Sequence, residues 1–164
     1  MTPKATLAWK MPPPMKVYEA LGALGDGRVV LIDERRATVK SSEGDRLYDV
    51  ECSPDWREIS SNDNASYWQG YLGYPATAVL IARGFYHPRE DVLRALSEVP
   101  WKELNRRFRN DYERTLAEVM ARAEQRGFDL GAICDEVEAV LDALRVLAPM
   151  RGVRRKPPAV PKQP

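Results

Sequence analysis

The chain has 164 residues, with 25 Lys and Arg against 24 Asp and Glu, one His, two Cys and 44% hydrophobic residues. A single domain of that length buries roughly 68–70% of the surface its unfolded chain exposes, so its core needs neither disulfide nor metal. No run approaches the ~18 apolar residues of a membrane span and residues 1–16 lack the apolar stretch of a signal peptide, so the expectation is a cytoplasmic protein without membrane contact. Cys52 and Cys134 are too few for a disulfide scaffold or a four-cysteine zinc site.

The formal net charge of +1 hides a division along the chain. Residues 1–16 carry Lys4, Lys10 and Lys16 and no acid; residues 151–164 carry Arg151, Arg154, Arg155, Lys156 and Lys162 and no acid. Removing these eight from the 25 basic residues leaves 17 against 24 acidic residues over 17–150, a net of −7. The same two ends hold eight of the 13 prolines and few large apolar groups. They are expected to be mobile, basic, Pro-rich tails around one α+β domain at 17–150, with a sheet-containing half at 17–84 and a helical half at 85–150.

Within that domain, Leu21 and Leu24 followed by Gly25-Asp26-Gly27 predict a short helix over 17–24. The period then changes to that of strands at 29–32, 37–40 and 47–52, the last with Tyr48, Val50 and Cys52 alternating against Asp49 and Glu51. Short polar links make these strands antiparallel, and a fourth runs over 56–60. Pro75 suits the first turn of a helix over 76–82, which is apolar on all sides and therefore buried. A short helix follows over 89–99. Trp101, Leu104, Phe108, Tyr112, Leu116 and Val119 recur at spacings of three and four, predicting one long helix from Pro100 to Gln125. Gly127 ends it, Asp129 caps the next, and Leu130, Ile133, Val137, Val140, Leu141 and Leu144 form the stripe of an antiparallel partner. The fold class is thus α+β: a small three- to four-stranded antiparallel sheet with a buried helix, followed by an antiparallel helical hairpin.

Recognisable hydrolytic and transfer chemistry draws mostly on His or Cys. His87 is the single imidazole; its spacing to Glu90 and Asp91 is not that of HExxH, which favours a capping or solvent role over a metal ligand. Cys52 and Cys134 read as small packing groups. No phosphate-binding glycine loop, nucleophile elbow, CxxC or calcium loop is present, so no catalytic residue, metal or cofactor is assigned. The richest segment is 61–75, where Tyr67, Trp68, Tyr71 and Tyr74 lie among Asn62, Asp63, Asn64 and Gln69. Rings and amides together make stacking and hydrogen-bonding surface; equally, the rings can close the core while Asn and Asp hold turns. Both readings stand.

Residues 16–84 carry Ala20-Leu21, Gly27-Arg28-Val29, Val39-Lys40-Ser41-Ser42, Tyr48-Asp49-Val50 and Ala78-Val79-Leu80 in that order. In these elements the segment resembles the SWIM family of small zinc-binding modules. The family's CxC pair would fall near 60–63 and its CxH at Gly73, Tyr74 and Pro75, where no cysteine stands. The resemblance therefore implies a version without zinc, the metal replaced by aromatic packing from 61–75, and it implies binding to proteins or DNA-linked assemblies.

Three functions are weighed. The first is a non-enzymatic adaptor or regulatory subunit that binds a protein or nucleoprotein partner through Asn62, Asp63, Asn64, Tyr67, Trp68, Gln69, Tyr71 and Tyr74, the hairpin and the tails; the hairpin also offers a homo-oligomer surface. The second is non-specific nucleic-acid binding, with Arg106, Arg107 and Arg109 joining Arg151, Arg154, Arg155 and Lys156, against the repulsion of a −7 body. The third, ranked last, is a small-ligand enzyme using the 61–75 loop.

Overall fold

The computed structural model describes residues 7–158. Its centre is α1 (Pro14–Gly25), which Pro14 opens without a side-chain cap and in which every residue from Met15 to Ala23 is buried. Helix α2 (Tyr74–Ala82) lies against it, buried from Pro75 to Ile81 as its apolar circumference requires. Gly22 and Gly25 let other elements approach α1 closely: a Cβ at Gly22 would stand 2.5 Å from Trp101 Nε1, and one at Gly25 would stand 2.4 Å from the Leu93 carbonyl oxygen.

Strands β1 (Val29–Leu31), β2 (Arg36–Lys40), β3 (Leu47–Cys52) and β4 (Glu58–Ser61) form an antiparallel meander. Ala37 opposite Val50, Val39 opposite Tyr48 and Cys52 opposite Ile59 present one buried face to α2, so the period-2 alternation of 48, 50 and 52 holds. The helical half comprises α3 (Glu90–Ala95), α4 (Trp101–Arg107), α5 (Tyr112–Gln125) and α6 (Leu130–Leu147). Asp111 and Asp129 cap α5 and α6 by accepting from Arg114 N and Ala132 N. Helix α6 packs its Ile133, Val137, Val140, Leu141 and Leu144 stripe into the shared core. The fold is α+β.

Three expectations are corrected. The helix predicted from Pro100 to Gln125 is two helices, because Arg109 (φ 52°) and Asn110 (φ 62°) are left-handed and Asp111 starts a new helix. The apolar period runs through this break, since Phe108 and Tyr112 both pack on the core. The sheet has a fifth strand, β5 (Met150–Arg151), parallel to β4. It exists because Ala148, also left-handed (φ 46°), turns the chain back to the sheet after α6.

The third correction concerns described parts of the two segments expected as mobile tails, which lie on the body. Residues 7–13 lie on the body: Trp9 N donates to Pro149 O at 3.0 Å, Trp9 Nε1 to Ile59 O at 2.8 Å, and Ala8 bridges to Met150. At the other end Gly152 N donates to Ile59 O, and Arg155 Nε to Ser60 Oγ. Backbone pairing and a tryptophan anchor hold segments whose proline and lysine content reads as unstructured. Residues 1–6 and 159–164 are outside the described residues, so Lys4 and Lys162 are too.

Candidate functional site

The 61–75 segment folds around one carboxylate. Asp63 Oδ1 accepts from Ser61 Oγ at 2.6 Å and Ser66 Oγ at 2.7 Å, and Oδ2 accepts from Ser66 N at 3.0 Å. Ser66 Oγ in turn accepts from Gly73 N. A Cβ at Gly73 would lie 2.1 Å from Asp63 Oδ2, so only glycine admits the knot. Asn62 Oδ1 accepts from Asp49 N at 2.8 Å, docking the loop to β3. Asn62 and Asp63, expected as ligand-binding groups, are buried and spent on the loop's own structure. Segments 60–63 and 73 meet through this carboxylate and its serine partners.

A π-helical turn over Ala65–Gln69, ended by left-handed Gly70 (φ 72°), then divides the aromatics. Tyr67, Trp68 and Gln69 go to one side; Asn64, Tyr71 and Tyr74 do not join them. Tyr74 packs edge-on against Tyr48, ring centres 6.1 Å apart, and burial pushes both phenols above the usual tyrosine range. Tyr71 is half-buried beside Lys16, its phenol also raised by burial.

On the outer side Trp68, 68% exposed, meets the edge of Tyr67 at 4.6 Å. The C-terminal segment crosses them. Arg154 stacks over the Tyr67 ring at 4.1 Å and donates to Tyr67 O at 3.1 Å, while Arg151 lies over Trp9 at 5.1 Å and donates to Gly70 O at 2.8 Å. These groups line an open cleft of about 410 Å³. Arg155 is different: it pairs with Glu51. Lys156 is exposed. Two of the expected aromatic groups and two of the expected arginines, more than 80 residues apart in sequence, thus form one surface with Trp9, whose role the sequence did not signal.

The helix arginines are elsewhere. Arg106 pairs with Glu43 through both carboxylate oxygens and Arg107 pairs with Glu103; Arg109 is exposed in the break after α4. Arg106 borders a second concavity, about 420 Å³, between α1, the β2–β3 turn and α4. On its wall Lys16 and Glu19 form a buried ion pair at 3.1 Å, and Asn105 Nδ2 donates to Glu19 at 2.9 Å. Burial alone would lower the Lys16 ammonium, but Glu19, backed by Tyr112 and Tyr71, more than offsets it and holds the group above the ordinary lysine range. The one available signal for this site was two charges within an apolar helix.

Cys52 is buried and its thiol is pushed up by burial. Cys134, read as a packing group, is exposed instead, with its sulfur 3.7 Å from Tyr18 Oη, because it falls at the edge of the α6 stripe rather than within it. Among the described residues no cluster of three or more His, Cys, Asp or Glu could hold a metal ion, and no helix is long and apolar enough to cross a membrane.

Neither the curated proteins nor the solved structures contain a match to this chain. A family model does match it, over residues 9–150, a span that takes in α1 to α6, Trp9 and the whole aromatic loop; the chain belongs to the family described as Uncharacterised conserved protein UCP014422.

Proposed function

We propose that the protein is a non-enzymatic adaptor or regulatory subunit that docks a protein or nucleoprotein partner on the face made by Tyr67, Trp68, Arg151 and Arg154. The observation that carries this reading is the convergence of an exposed tryptophan with two guanidinium groups that have no carboxylate partner among the described residues. Trp, Tyr and Arg are the residues that dominate binding energy at interfaces, because each offers large area with a directed polar group at modest entropic cost. Asp63 and its serines hold the platform from beneath, which limits the ordering cost on binding. The likeness of residues 16–84 to SWIM modules points towards binding as well.

A second reading, single-stranded nucleic acid on the same face, draws on the Arg154–Tyr67 stack, since bases stack on rings and guanidinium planes alike. Ion pairing of Arg106 and Arg107 removes support for a contribution from α4. The enzyme reading loses Asn62 and Asp63 as candidate groups.

Affinity capture from host lysate with the full chain, with and without nuclease, tests the choice. A protein recovered after nuclease, and lost with Trp68→Ala or Arg154→Gln but not with Arg107→Gln, is the expected result. Recovery indifferent to both face variants overturns the reading. Nucleic acid alone, abolished by nuclease, selects the second.

A further inference from the structure

We propose that the cavity between α1, the β2–β3 turn and α4 binds a small monocarboxylate with a planar body and a hydrogen-bond donor. This site is separate from the Tyr67–Trp68 face and does not depend on the function proposed for it.

Five cationic side chains border the cavity against the carboxylates of Glu19 and Asp63. Four of the five are neutralised within the fold: Lys16 by Glu19, Arg28 by Asp26, Lys102 by Asp45 and Glu43, and Arg106 by Glu43. Glu19 and Asp63 are themselves saturated, by Lys16 and Asn105 and by the serine knot. Arg46 is left. Among the described residues no carboxylate lies within ion-pair distance of it, its Nε is buried without a hydrogen-bond partner, and its guanidinium stands beside the Tyr48 phenol. One uncompensated guanidinium matches one carboxylate, in the planar two-point geometry the two groups share.

One further polar atom on this wall lacks a partner: Asn105 is turned by its donation to Glu19, which leaves Oδ1 buried and unpaired. Trp101, 3% exposed, lines the same wall, while its Nε1, also unpaired, is packed against Gly22 of α1. A buried atom of this kind calls for a partner, which a ligand or an ordered water supplies. Asn105 Oδ1 can only accept, which asks for a donor on the ligand. The Tyr48, Tyr74 and Trp101 rings bound the space and suit a flat body. Its volume, about 420 Å³, lies within the usual range of small-molecule sites.

The test uses the full chain labelled with 15N, in which the four tryptophans give separate indole N–H signals. Benzoate, 4-hydroxybenzoate and 4-aminobenzoate are titrated, with 4-hydroxybenzamide as the uncharged counterpart and inorganic phosphate as the competing anion. At least one carboxylate is expected to shift the Trp101 signal saturably, with the amide about tenfold or more weaker, as loss of a charge-assisted pair implies. Arg46→Gln is expected to weaken binding by about the same factor, Arg46→Lys by less, and Arg154→Gln not at all. No saturable shift with any of the three carboxylates overturns the site. Equal binding of the amide, or an Arg46→Gln protein that binds unchanged, overturns the role of the charge. Phosphate binding as tightly as the best carboxylate overturns the ligand class.

Discussion

Two concavities of nearly equal volume, about 410 and 420 Å³, are built on opposite principles. The cleft beside the π-helical turn is made of half-buried and exposed rings and arginines whose charges meet only aromatic faces and backbone oxygens. The cavity between α1 and α4 is made of charges that, Arg46 excepted, are already matched inside the fold, around a buried ion pair. Trp68 and Arg154 of the first should be removable with little loss of stability; the ion-paired side chains of the second are bound up with folding itself. A group's partners, not its residue type, decide which it is: Arg106 and Arg154 are both exposed arginines, yet one is paired with Glu43 and the other meets only the Tyr67 ring and carbonyl oxygen.

The sharpest break in that contrast comes from Glu19→Gln. It leaves the Lys16 ammonium buried without a counter-charge and should cost about 3–5 kcal/mol in urea unfolding. Asp63→Ala comes next, at about 3 kcal/mol, because it strands two serine hydroxyls and the Ser66 N–H inside the loop. This variant should also erase partner binding at Trp68, since the knot supports the turn that presents it. Gly73→Ala should reproduce the Asp63→Ala phenotype with the carboxylate still present, a check that the clash and not the charge is responsible.

Alkali should act on Lys16 and on the phenols raised by burial, those of Tyr18 and Tyr86 beside α6 included. In the folded protein Lys16, Tyr48, Tyr71 and Tyr74 all titrate above their ordinary values of 10.5 for Lys and 10.0 for Tyr. A folded-state value above the unfolded one gives stability that is present below the unfolded value and lost as pH rises towards the folded one. Unfolding midpoints should therefore fall above about pH 10, and Glu19→Gln should flatten that fall by removing the Lys16 contribution.

Smaller effects belong to the cleft. Trp9→Ala removes the hydrogen bond to Ile59 O and the surface under Arg151, costing about 2 kcal/mol and speeding tryptic cleavage at Arg151 and Arg154. Trp68→Ala should change stability by less than about 0.5 kcal/mol, since the ring is mostly in water, and should be visible only in partner binding. A Trp68→Ala protein that unfolds as readily as Glu19→Gln would erase the distinction between the two concavities.

Much of the scaffold was legible from local pattern. The alternation at 48, 50 and 52, the unbroken apolar run at 76–82 and the Asp129 cap each report an interaction that neighbouring residues make for themselves. The break after α4 was not legible, because apolar spacing persists across Arg109 and Asn110 while the backbone turns left-handed beneath it. Nor were the ends: counting prolines and lysines cannot reveal that Trp9 finds Ile59 O, 50 residues away.

The amino-acid order by itself determined the class of fold, the four antiparallel strands, the buried helix at 76–82 and the richness of 61–75, since these follow from periodicity and turn chemistry within a few residues. Tertiary structure alone decided which aromatics face outward, which arginines stay unpaired and where the cavities lie. Those properties belong to pairs such as Arg154 with Tyr67, or Asn105 with Glu19, separated by more than 80 residues and joined only when the chain packs.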